Sequence, residues 1–176
     1  MSKTFIISAG HSNVDPGAVG NGLKEADVAV ELRNAVADKL RIEGHTVFTD
    51  GDGSTNASLR DAIKLIKGQG LALEIHCNAA ANPSASGVET IGKGTKLKPI
   101  CQKLSKAVAN VLGEKVRGDA GFIDPTQSAR GKLGWCDAGG IILETFFLSN
   151  PKSVATYQAK KQEVIDAIVE ALLNAD

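Results

Sequence analysis

The chain lacks a surplus of either charge. Lys plus Arg and Asp plus Glu each total 20, so the formal net charge is +0. A balance of that kind creates no global field to draw in nucleic acid or to hold the protein on an anionic membrane surface, and it argues against both. Cysteine is scarce: Cys77, Cys101 and Cys136 are an odd set at wide spacing, with no Cys-x-x-Cys pair. Neither a disulfide framework nor a structural zinc ribbon is indicated, and reduced, mostly buried thiols are expected. No apolar run approaches the length needed to cross a bilayer. The early run Thr4-Phe5-Ile6-Ile7-Ser8 is too short for the core of a secretory signal, and no small-residue cleavage site precedes a mature start. The chain as written is therefore expected to stay in the cytoplasm as synthesised. Internal repeats, low-complexity linkers and a separately composed module are also missing.

What is present suits one domain spanning residues 1–176, with 43% apolar and 23% charged residues. Residues 4–8 read as a buried strand running into a Gly-rich loop. From about residue 25 to 43, Val28, Leu32, Val36 and Leu40 recur every four positions, a helical stripe closed by Gly44. Residues 46–50 form a second strand, and a helix from Ser58 sets Leu59, Ile63 and Ile66 on one face. Residues 71–76 are a third strand and 87–91 a fourth. Leu97, Ile100, Cys101, Leu104, Val108 and Val111 mark another helix, residues 140–145 the last strand, and Val154, Tyr157, Ile165, Ile168 and Leu172 a final helix. Strands alternating with helices predict an α/β fold, a mostly parallel sheet covered on both faces. Ligand sites in such sheets gather outside the carboxyl ends of the strands.

Three residues with metal-binding or acid–base chemistry fall at those ends. His11 follows the first strand, His76 ends the third and Glu144 ends the last, while Glu25 opens the first helix at the same edge. Two imidazoles and one carboxylate are a common ligand set for catalytic zinc, leaving a fourth position for water. A second carboxylate is then needed to take the proton of that water and pass it to a leaving amine. Chemistry alone leaves open which glutamate plays which part.

The motifs that carry these residues narrow the choice. Gly10-His11 with Asp15-Pro16-Gly17-Ala18, Gly22-Leu23-Lys24-Glu25, Ile75-His76-Cys77-Asn78, and Leu143-Glu144 followed by Phe147-Leu148-Ser149-Asn150 occur in that order. Together they resemble the zinc-dependent N-acetylmuramoyl-L-alanine amidase family, which includes bacterial cell-wall amidases and phage endolysins. The likeness runs over nearly the whole chain, and Arg60, Gly87-Val88-Glu89 and Arg130 with Leu133-Gly134 fit it too. It implies His11, Glu25 and His76 as zinc ligands and Glu144 as the catalytic carboxylate. It also implies a twisted, about six-stranded sheet flanked by helices, and a peptidoglycan or muropeptide substrate cut between N-acetylmuramic acid and L-alanine. Without a secretion signal or a wall-binding module, a phage-type lysin released through a separate pore is the expected setting. Rival readings are a zinc peptidase or deacetylase acting on another amide, and a non-catalytic wall-binding module.

This chain departs from the family pattern at three places. Glu74 stands where a small polar residue is frequent, Phe146 where glycine follows the catalytic glutamate, and Asp50 where an arginine often ends the second strand. Glu74 shares a strand face with His76 by the two-residue period. It could orient that imidazole, but pairing with a nearby Lys or Arg is the expected arrangement. Glu89 is expected to support the wall of the site, Asn78 and Asn150 to brace it, and His45 to be structural. Arg130 is read either as a bidentate partner for a substrate carboxylate or as a solvated surface residue. The Gly10–Gly22 loop lacks the spacing of a phosphate cradle, so its glycines are read as permissive positions in a ligand-bearing loop. No helix inserted between Gly92 and Gly139 is read as plugging the cleft, so constitutive activity is expected.

Overall fold

The computed structural model describes residues 1–68, 70–128 and 131–175. In chain order, β1 (Thr4–Ala9) leads through the hairpin of β2 (Val19–Gly20) and β3 (Leu23–Lys24) into α1 (Glu25–Ile42), then β4 (Thr46–Thr49) and the short α2 (Leu59–Ala62). β5 (Leu71–Asn78), β6 (Glu89–Gly92), α3 (Lys98–Leu112) and β7 (Phe122–Ile123) follow. The one-turn α4 (Gly134–Asp137), β8 (Ile141–Phe147) and α5 (Pro151–Leu173) complete the fold. Six strands form one sheet in the order β4-β1-β5-β8-β6-β7, parallel throughout except where β6 meets β8. This is the mostly parallel α/β sheet expected from the sequence.

The two faces of the sheet are covered unequally. Phe5, Ile7, Leu73, Ile75, Ile141 and Leu143 point into a large core filled by α1, α3 and α5. The intervening residues Ile6, Ala72 and Ile142 meet a smaller cluster of Ala62, Trp135 and Cys136, supplied by α2 and α4. The expected cover on both faces is present, but on the second it is thin and stops short of the carboxyl ends of β5 and β8. There Glu74 and His76 follow Ala72, and Glu144 follows Ile142, by the two-residue alternation of a strand. The polar residues therefore inherit the face that helices leave uncovered.

Local sequence explains the long elements. Val28, Leu32, Val36 and Leu40 of α1 are all buried. Glu25 and Asp27 lie in its first turn and Lys39 and Arg41 in its last, where each charge opposes the helix dipole. Asn150 caps α5 by accepting from the Lys152 and Ser153 amides, with Pro151 in the first turn.

Three expectations need correction. The helix begun at Ser58 lasts one turn and tightens into a 3-10 turn at Ile63–Leu65, so Ile66 lies beyond it. Residues 87 and 88 precede β6 rather than belonging to it, with Val88 only bridging Val116. The Gly10–Gly22 segment read as a loop runs into the β2–β3 hairpin, whose second strand lies just beyond Gly22. Its turn is Asn21-Gly22 with φ of 49° and 79°, the doubly left-handed geometry that Asn-Gly favours. All three cysteines are free and buried, as expected, and no helix among the described residues is long and apolar enough to cross a membrane.

Candidate metal and acid–base site

Glu25 stands at the centre. Held at the first position of α1, its carboxylate accepts from the Ala18 amide at 3.0 Å and from the Cys77 amide at 3.0 Å. Its Oε2 lies 2.9 Å from His11 Nε2 and its Oε1 2.9 Å from His76 Nδ1. The two imidazoles meet edge to face, 5.0 Å between centroids. One donor atom from each of His11, Glu25 and His76 falls within 4.8 Å of the other two.

Each histidine is gripped from behind by another carboxylate. His11 Nδ1 lies 3.0 Å from Asp15 Oδ2, and His76 Nε2 lies 3.0 Å from Glu74 Oε1. Glu74 is 5% exposed, and no Lys or Arg among the described residues pairs with it. The expected pairing of Glu74 with a cation is thus replaced by the imidazole contact. A carboxylate of this kind holds the ring orientation and tautomer and makes the opposite nitrogen a stronger ligand. Asp15 does the same for His11. Sequence reasoning meets Asp15 only as part of a motif, although its position four residues after His11 is a usable signal.

Electrostatics follow from this packing. Burial by itself would raise the Glu25 carboxyl, but hydrogen bonds from His11 and His76 outweigh it and hold that group well below the usual carboxylate range. His11 is raised, chiefly by its bond to Glu25. Burial opposes charge on His76, yet Glu25 and Glu74 together raise it well above an ordinary imidazole. The donor set fits a divalent ion: two ring nitrogens and a charged carboxylate converge, and their outer atoms are already engaged.

Glu144 is set apart from this cluster. It is the register partner of His76 across β5 and β8, and of Glu89 across β8 and β6. Its Oε2 is buried without a hydrogen-bond partner among the described residues. Burial, with smaller contributions from the Glu25 and Glu89 charges, pushes its carboxyl up to about 7. A carboxyl that exchanges its proton near neutrality suits acid–base work.

Backbone geometry makes room for the site. A Cβ on Gly10 would lie 2.3 Å from His76 Cε1, so only glycine lets that ring pack over the end of β1. Gly17, at φ 65°, would place a Cβ 2.5 Å from His11 Nε2 and 2.7 Å from Glu25 Oε2.

Glu89 braces the wall, accepting from Asn78 Nδ2 at 3.0 Å and pairing with Arg117. Asn150 caps α5 and donates to the Ala85 carbonyl at 3.0 Å. His45 is structural: its Nδ1 accepts from the Lys3 amide at 3.0 Å and its ring edges Phe5. Asp50 and Phe146 turn inward, the first bonding Arg33 at 3.1 Å and the second stacking on Tyr157 at 4.5 Å. Neither departure from the family pattern therefore faces the cleft. Arg130 lies outside the described residues.

Fold and donor set together define an α/β protein in which two histidines and a carboxylate converge as a group that could hold a metal ion, with a further buried carboxylate on the neighbouring strand. Residues 5–174 match the model of the N-acetylmuramoyl-L-alanine amidase family, and the chain belongs to that family. It is 39% identical to YqiI of Bacillus subtilis, over 97% of this chain and 83% of that one. It is 27% identical to the B. subtilis N-acetylmuramoyl-L-alanine amidase LytC over 94% of this chain, but spans only 34% of LytC. Among solved structures, a Neisseria meningitidis protein proposed to be such an amidase superposes with a TM-score of 0.88 at 45% identity, covering 96% of this chain and 93% of that one.

Proposed function

We propose that the chain hydrolyses the amide bond between N-acetylmuramic acid and L-alanine in peptidoglycan, with zinc held by His11, Glu25 and His76. The observation that carries this reading is the convergence of those three side chains, with the Glu144 oxygen that has no partner among the described residues on the neighbouring strand. A zinc ion there supplies Lewis acidity and lowers the pKa of water. Glu144 takes the proton of the attacking water on Oε2 and delivers it to the alanine nitrogen as the C–N bond breaks. The products are a muramoyl carboxylate and a peptide with a free amino terminus. Glu74 and Asp15 keep both rings aimed while this happens. The cytoplasmic, phage-lysin setting expected from the sequence belongs to the same proposal. Fractionation of expressing cells, with and without a co-expressed pore protein, tests that part.

The direct test is mass spectrometry of digested peptidoglycan, with chelator and with zinc restored. Stem peptides beginning with alanine, lost on chelation and regained with zinc, are expected. Glu144→Ala should keep its metal and lose turnover, whereas His76→Ala should lose both. Full activity in Glu144→Ala would sink the assignment. Cleavage at another amide would move the chain to a peptidase or deacetylase, and a metal-free inactive protein to a wall-binding module.

A further inference from the structure

One charged group near the site has no part in the reaction as described. Arg117 follows Val116, which bridges Val88 one residue before Glu89. Its Nε bonds the Glu89 carboxylate, and its guanidinium lies over the Phe147 ring, 5.0 Å from the centroid. Gly87, at φ 116°, makes room for the stem: a Cβ there would meet Arg117 Cγ at 2.8 Å. The side chain is thus pinned along its length, whereas a solvated arginine samples many rotamers. Only Nε donates a hydrogen bond, and Nη1 and Nη2 have no hydrogen-bond partner among the described residues.

Position gives those free donors a meaning. His76, Glu144 and Glu89 are successive register partners across β5, β8 and β6, so they form a row on the uncovered face. Arg117 continues the row through its pair with Glu89. Neighbouring strands are about 4.8 Å apart, so the backbone of Arg117 stands on the order of 10 Å from that of Glu144 along this row, and its side chain folds back towards β8 over Phe147. An extended peptide advances about 3.3 Å per residue, so the first three residues or so past the scissile nitrogen fall within that span. On the peptide side of the proposed bond, the groups that match a two-pronged N–H donor are carboxylates.

From this placement we infer that Arg117, held by Glu89 and Phe147, is a specificity residue that binds a carboxylate of the stem peptide. The inference rests on the amidase reading, which supplies a peptide on one side of the scissile bond, and it places that peptide on the Glu89 side of the row. Parent protein, Arg117→Gln and Arg117→Lys are compared on a muramoyl peptide with free carboxylates and on the same compound with carboxamides. The parent should prefer the free form by about tenfold, through KM more than kcat, the discrimination expected of one charge-assisted contact. Arg117→Gln should lose the preference while keeping metal content, and Arg117→Lys should retain part of it. A purely structural role for Arg117 would lower turnover on both substrates equally. A preference unchanged in Arg117→Gln, or absent from the parent, overturns the inference. Titration of the free and amidated peptides into zinc-loaded Glu144→Ala reads the same selectivity without turnover. If no muramoyl peptide is cleaved, the amidase reading fails by itself, and selective binding lost in Glu144→Ala carrying Arg117→Gln still decides the role of Arg117.

Discussion

At the scale of single residues, Glu74 is the most consequential departure from the family pattern. Its buried carboxylate touches the far nitrogen of the very imidazole whose near nitrogen faces Glu25. Removing such a carboxylate usually weakens metal binding by about 10–100-fold, because the ring loses both its fixed orientation and its added basicity. Glu74→Ala is expected to show a loss of that size in chelator competition. Glu74→Gln, which keeps an acceptor oxygen, should lose less. Equal zinc affinity in Glu74→Ala and the parent would mean that the contact does nothing for the metal. Gly10 is tested the same way. Gly10→Ala puts a methyl where the His76 ring lies, so metal content should drop while far-ultraviolet circular dichroism stays unchanged.

Elements position these residues through their ends. α1 begins with Glu25 directly after the β2–β3 hairpin, so the hairpin sets where the proposed central ligand enters the site. Its turn depends on Gly22, at φ 79°, where an added methyl would have no atom within 4 Å. Gly22→Ala should therefore cost about 1–2 kcal/mol from backbone conformation alone, without any clash. Urea denaturation reads that cost, and a midpoint identical to the parent's would contradict the turn geometry. β5 contributes differently: its register with β8 is irregular between His76 and Asn78. Irregularities of this kind re-aim side chains near active sites.

For the molecule as a whole, the ion pair between Arg33 of α1 and Asp50 at the end of β4 joins a helix to the sheet. Both side chains are fully buried and 3.1 Å apart, and Asp50 also accepts from Ser8 Oγ at 2.9 Å. Asp50→Ala leaves the Arg33 charge buried without its partner, a loss worth about 3–5 kcal/mol. Lys161→Ala breaks the half-exposed pair with Glu31 and should cost no more than about 1 kcal/mol. Chemical denaturation of the two variants side by side makes the comparison. Equal destabilisation would show that burial does not decide the worth of these pairs.

Much of this was legible from the residues in order. The stripe Val28, Leu32, Val36 and Leu40 announces α1, because burying one helix face imposes its period. The run Phe5-Ile6-Ile7 announces β1, because a central parallel strand is buried on both faces. His11, Glu25, His76 and Glu144 stand out because their chemistry recurs at the ends of such elements. The Asn21-Gly22 turn was legible too, but lay hidden in a loop that glycines made look irregular. Other features have no local signature. Two-residue β7 and one-turn α4 are too short to show a period, and their conformation is set by what they pack against. That Glu74 meets an imidazole and not a lysine, that Arg117 joins the row, and that β6 runs antiparallel to β8 all depend on which strands become neighbours. Local periodicity determined the elements and the chemistry at their ends. Only tertiary structure decided the strand order, the register and the uncovered face, because those follow from packing the whole sheet at once.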